Sequence, residues 1–229
     1  MKKLGLVGGT SWVSTMDYYK LINEGINAQL GGLNFAECLI YSFNYADIVR
    51  NNNANDWDRT FQMISAASQH LINGGAEGIV LCANTMHLIA GRLQPVIDVP
   101  VIHIGEVTAA AIAQQGIKKV GLLGTKFTME LDFVKSKLRD KGIEAIIPEE
   151  ADRAFVHGTI FDELGKGVVT AATRKRYIAI SEQLIAQGAE GVILGCTEIP
   201  LVIKPGDLTV PTFDTTQLHA AAAVQFALS

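Results

Sequence analysis

Short apolar runs rich in Val, Ile and Leu alternate along the chain with longer stretches whose apolar positions recur every three or four residues. Residues 3–7, 37–42, 78–82 and 99–102 read as buried strands, and residues 119–123, 143–147, 191–195 and 210–213 read as a second set. Between them, segments such as 56–73 and 171–186 carry the helical period. Strand–helix alternation with short, continuously apolar strands predicts an α/β protein of mostly parallel sheets covered by helices.

The pattern repeats at residue level. Gly75-Ala76-Glu77-Gly78-Ile79-Val80-Leu81 recurs almost unchanged as Gly188-Ala189-Glu190-Gly191-Val192-Ile193-Leu194, and Leu4-Gly5-Leu6-Val7-Gly8 resembles Val120-Gly121-Leu122-Leu123-Gly124. Val99-Pro100 ahead of an alanine-rich helix recurs at Val210-Pro211. The expectation is two pseudo-symmetric lobes, residues 1–115 and 116–229, each a mostly parallel sheet flanked by helices. They face each other across a cleft that holds the site, and the C-terminal helix is free to pack back on the first lobe.

Composition narrows the chemistry. A net charge of −4, with no Lys/Arg cluster, disfavours nucleic acid as a partner. Lys2 and Lys3 precede an apolar run that Gly8-Gly9-Thr10 ends too soon for a signal peptide, and no segment has the length of a membrane span. Three cysteines without CxxC or Cys/His ligand spacing fit a reducing, cytoplasmic setting and no metal. Gly5-Leu6-Val7-Gly8-Gly9 lacks the GxGxxG order and no GxxxxGK[ST] occurs, so no phosphate-bearing cofactor has a clear cradle.

Ligands of open α/β sheets bind beyond the carboxyl ends of strands. The loops predicted there are Gly8-Gly9-Thr10-Ser11, Cys82-Ala83-Asn84-Thr85, Gly124-Thr125-Lys126 and Gly195-Cys196-Thr197-Glu198. Their small residues, hydroxyls and amides suit a carboxylate, with Asn84, Thr85, Thr125 and Thr197 as donors or plain helix caps. Cys196 is the sharpest feature: a thiol after a strand-end glycine, read as preceding a helix whose dipole lowers its pKa from about 8.5. Cys38, inside an apolar strand, reads as core.

These segments resemble the aspartate/glutamate racemase superfamily, in particular its aspartate racemase branch. The likeness is carried by Gly5-Leu6-Val7-Gly8-Gly9-Thr10-Ser11-Trp12, Ala83-Asn84-Thr85-Met86-His87, Leu123-Gly124-Thr125-Lys126-Phe127-Thr128-Met129 and Leu194-Gly195-Cys196-Thr197-Glu198-Ile199-Pro200-Leu201, in family order over nearly the whole chain. The resemblance implies a cofactor-independent isomerase that racemises a small amino acid, aspartate or glutamate, with one thiol removing the α-proton and another delivering a proton to the opposite face. As partners it implies the amino acid and a second copy of the chain, with neither nucleic acid nor membrane.

One position departs from that pattern. The first-lobe cysteine of two-thiol members stands immediately before Asn-Thr, which here is Ala83, and the internal repeat likewise aligns Ala83 with Cys196 and Cys82 with Gly195. A one-residue shift on a strand turns a side chain to the other face, so Cys82 is not expected to take part. Some relatives carry threonine there. The expected site is therefore Cys196 as acid/base, with Gly9, Thr10, Ser11, Asn52, Ala83, Asn84, Thr85, Thr125, Thr197 and Glu198 around the substrate. The Asn-rich segment 47–58 reads as a flap carrying Asn52. Arg50 and Lys166 are the cations weighed for an acidic side chain, against a plain surface role. Glu198 would hold the substrate ammonium, orient the thiol or meet the helix dipole, and His87, His103 and His219 read as structural. Two rivals stand beside racemisation: a single-cysteine decarboxylase and a non-catalytic amino-acid binder.

Overall fold

A computed structural model describes residues 1–229 and contains two four-stranded parallel sheets. The first uses β1 (Leu4–Gly8), β2 (Cys38–Ser42), β3 (Gly78–Leu81) and β4 (Val101–Ile102) in the order β2-β1-β3-β4, with helices α1 (Trp12–Leu30), α2 (Tyr45–Ala54), α3 (Trp57–Asn73) and α4 (Ala90–Leu93). The second is preceded by α5 (Ile104–Gln114). It uses β5 (Lys119–Gly124), β6 (Glu144–Ile146), β7 (Val192–Gly195) and β8 (Thr212–Asp214) in the order β6-β5-β7-β8. Its helices are α6 (Lys126–Glu130), α7 (Asp132–Arg139), α8 (Glu150–Asp162) and α9 (Ala171–Ala186), and α10 (Thr215–Leu228) closes the chain.

The repeat extends to hydrogen-bond register. Leu4 pairs with Cys38 as Val120 pairs with Ala145, Gly5 with Ile79 as Gly121 with Val192, and Ile79 with Val101 as Val192 with Thr212. Each sheet therefore changes winding direction at the same place, between β1 and β3 and between β5 and β7. The carboxyl ends of those strands are the usual ligand position of such folds.

The chain forms two compact units, Met1–His103 with His219–Ser229, and Ile104–Leu218. The change of unit falls at 103/104 rather than near 115, because α5 packs against α7, with Lys137 ion-paired to Glu106 at 2.6 Å. Residues 219–229 belong to the first unit, where Ala220, Ala223, Val224 and Ala227 share a core with Leu4, Leu6, Tyr18, Ile22 and Ile26.

Strand alternation divides β3 between two cores. Val80 and Cys82 pack with Leu4 and Leu6, whereas Ile79 and Leu81, with Ala83 beyond them, pack with Val7 and Ile64. The side chains of Cys82 and Ala83 thus lie on opposite faces of one sheet.

Three histidines far apart in sequence also meet in the first unit. The His87 ring lies 5.0 Å from His103 and 5.1 Å from His219. His219 accepts from the Tyr18 hydroxyl at Nδ1 (2.8 Å) and donates from Nε2 to the Ile102 carbonyl (2.6 Å). Burial pushes the His219 imidazole down to about 4, against the pull of the Ile102 carbonyl. A depressed pKa stabilises the fold above the ordinary histidine value of about 6.5, and that stability is lost as pH falls through the folded value near 4. The expected loss is about 3 kcal/mol. Urea midpoints at pH 7.5 and 4.5 should differ clearly in the wild type and less in His219→Gln. Equal acid sensitivity of the two proteins would contradict this.

Candidate active site

The second unit presents Cys196 one residue beyond β7. Gly124 and Gly195 pair at the ends of β5 and β7, and there is no room for anything larger: a Cβ on Gly195 would come within 2.6 Å of the Leu123 carbonyl oxygen. This close approach makes Thr125 and Cys196 leave the sheet side by side. Thr125 is buried and caps α6, its Oγ1 accepting from Thr128 N–H at 3.4 Å.

Cys196 is half-buried, and its thiol donates to Glu198 Oε2 at 2.8 Å. The Thr197 hydroxyl donates to the same oxygen at 2.8 Å. Burial, the Glu198 charge and the S–H···carboxylate bond together hold the Cys196 pKa well above the usual thiol value. This reverses the lowering expected from a helix dipole. Only a three-residue 3-10 turn, Ile199–Leu201, follows, with Pro200 near its start, so no helix macrodipole points at the sulfur. In this state Cys196 is a protonated thiol hydrogen-bonded to a carboxylate. Of the partners weighed for Glu198, the structure shows the thiol and the Thr197 hydroxyl bonded to it.

In the first unit the turn after β1 is fixed by Gly9, whose φ of +73° lies in the left-handed region and whose Cβ, if present, would stand 2.2 Å from Phe43 N. Ser11 caps α1 and accepts from Ser14 N–H at 3.4 Å. Thr10 is buried, and its hydroxyl has no hydrogen-bond partner. Ala83, half-buried with extended backbone, opens a 3-10 turn, Asn84–Ile89, and its carbonyl accepts His87 Nδ1–H at 3.1 Å. Asn84 is buried and Thr85 half-buried in that turn. Cys82 is fully buried, with burial raising its pKa, and its sulfur lies 3.7 Å from the Val80 carbonyl oxygen. Cys82→Ser should therefore lower stability by about 1–3 kcal/mol, the cost of burying an ill-matched hydroxyl, while turnover stays within roughly threefold, since no reacting group is removed. Denaturant melts and turnover of the same preparation check both. A collapse of activity in a folded Cys82→Ser protein would contradict the placement.

Two expectations change. Segment 47–58 is not a loop: α2 runs through it, capped by Asn44, anchored by buried Ile48 and ended by Asn55 in the left-handed conformation, and α3 follows immediately. Asn52 lies on α2 with a buried Oδ1 that has no partner. Arg50 is exposed and ion-paired to Asp47 at 3.0 Å, and Lys166 is exposed at the end of a three-residue turn. Of the four candidate loops, only the one after β1 leads straight into a long α-helix, so helix N-termini supply fewer free N–H groups there than the sequence suggested. The histidine cluster was the feature that sequence reading missed, because His219 joins the other two from more than a hundred residues away.

Comparison with known proteins agrees with this architecture. The Asp/Glu/Hydantoin racemase family model matches residues 7–223, and the chain belongs to that family. Over the full length of both chains it is similar to the crystal structure of a candidate Asp/Glu racemase from Yersinia pestis (45% identity, TM-score 0.95). It is likewise similar to an aspartate racemase homologue from Pyrococcus horikoshii OT3 (35% identity, TM-score 0.88, full coverage of both). The broad specificity amino-acid racemase RacX of Bacillus subtilis is 25% identical over 169 residues, 74% of this chain and 73% of that protein.

Proposed function

We propose that this chain is a cofactor-independent racemase of a small amino acid, aspartate or glutamate first among them, with Cys196 as its one cysteine acid/base. The observation that carries the reading is the Cys196–Glu198 pair at a strand end of the second sheet. Loss of the thiol proton leaves a thiolate, which removes the α-proton of the substrate and can return it to the same face. The unpartnered Thr10 hydroxyl and Asn52 Oδ1 support substrate contacts in the first unit, the amide oxygen suiting the ammonium group. A cytoplasmic, homodimeric protein is part of the same proposal.

Ala83 favours a second reading, in which a single thiol protonates one face only, as a decarboxylase would require. A screen of free amino acids in heavy water separates them. Incorporation of deuterium at Cα without loss of CO₂ is the expected result. Release of CO₂ would favour the second reading, and tight binding without exchange would reduce the protein to a binder.

A further inference from the structure

The first-lobe proton-transfer position holds Ala83, which has no proton to give, so inversion needs a donor from elsewhere in the first unit. Four hydroxyls lie on the turn that leaves β1 and on the first turn of α1, and three are committed. Ser11 caps Ser14 N–H. Ser14 donates to the Cys82 carbonyl at 2.6 Å. Thr15 accepts from Gly9 N–H and donates to the Ser11 carbonyl, both at 2.9 Å. Thr10, only 6% exposed, has no partner for its hydroxyl.

Position adds to this. β1 and β3 run parallel with Val7 beside Leu81, and Cys82 N–H donates to the Val7 carbonyl. Continuing that register places Gly8 beside Cys82, where both segments leave the sheet. The Ser14–Cys82 bond ties the two departing segments together. A buried hydroxyl with nothing to bond is costly, and in a native protein it calls for a partner that arrives with a ligand.

We propose that the Thr10 hydroxyl replaces the missing first-lobe acid/base and delivers the proton that inverts the substrate. The inference rests on the racemase reading above. In the step, the O–H bond of Thr10 breaks as a C–H bond forms at the α-carbanion, and a water carried in with the substrate gives its proton to Thr10 Oγ1 in concert. No free alkoxide forms, and the hydroxide left behind is neutralised by buffer. The reverse direction runs the same relay backwards. His87 positions the acceptor side of this corner through its bond to the Ala83 carbonyl and transfers no proton to substrate.

The test is the ratio of inversion to α-hydrogen exchange, read by chiral chromatography and NMR in heavy water, with L-aspartate and L-glutamate as probes. Thr10→Val should lower the ratio about 10²-fold, the low end of what a positioned acid/base contributes. Thr10→Ser should keep it within about threefold of the wild type, since the hydroxyl survives. Melting of Thr10→Val should be unchanged or higher, because an unsatisfied hydroxyl is removed; a purely structural Thr10 would instead melt lower with an unaltered ratio. Adding Ala83→Thr to Thr10→Val should restore inversion by returning a hydroxyl to the neighbouring strand end. An unchanged ratio in Thr10→Val, or a wild type that exchanges but never inverts, would overturn the proposal and leave the racemase-family exchange chemistry of Cys196 standing. Absence of any Cys196-dependent exchange would overturn both.

Discussion

Cys196→Ala is expected to abolish α-hydrogen exchange and racemisation together, by at least about 10²–10⁴-fold, the usual contribution of a positioned acid/base. No second cysteine can stand in: Cys82 is sealed in the core and Cys38 lies in β2. The fold should survive, because Cys196 is only half-buried and Glu198 keeps its bond from the Thr197 hydroxyl. Deuterium incorporation at Cα, measured beside a thermal melt, separates loss of chemistry from loss of structure. A folded variant that retains most of its exchange would refute Cys196 as the acid/base. The pH dependence follows the same pair. With the thiol held well above its usual pKa, the fold favours protonated Cys196, and exchange should climb with pH across the alkaline range until the thiol ionises.

Ala83→Cys is the second large effect, in the opposite direction. Its extended backbone accepts any side chain, and its partly buried position is the repeat-equivalent of Cys196. In the wild type, a thiol on one face and a weak relay on the other should exchange the α-hydrogen of one enantiomer much faster than they invert it. Installing a thiol should raise racemisation by about 10²–10⁴-fold, and Ala83→Thr should give a smaller gain because a hydroxyl is the poorer acid. NMR-detected exchange alongside chiral chromatography reports both rates. Equal exchange and inversion in the wild type, with no gain in a folded Ala83→Cys protein, would sink the one-thiol scheme.

The central strands β1, β3 and β7 were legible because a strand buried on both faces must be apolar without interruption, and all three are buried throughout. The off-register Cys82 was legible because alternation along β3 leaves no freedom. What escaped reading depended on contacts rather than on runs. Asn51-Asn52-Asn53 looks like a loop, yet buried Ile48 and the caps Asn44 and Asn55 make it helical. The Cys196 pKa was misjudged in sign because burial and a carboxylate two residues on raise it, with no helix dipole to oppose them. The boundary near 115 was drawn from the repeat, whereas α5 is assigned by what it packs against.

The core shared by Leu4, Tyr18 and Val224 sets an order of events during biosynthesis. Residues 1–103 leave the ribosome before the segment 219–229 that covers Gly78 with Phe226 and supplies His219, which follows the whole of the second unit. At about 5–20 residues per second the interval is on the order of ten seconds. Throughout it, the earlier-made sheet exposes an unfilled apolar face, while the second unit, continuous in sequence from Ile104 to Leu218, can close on its own. The half of the molecule synthesised first is therefore the half whose core is completed second.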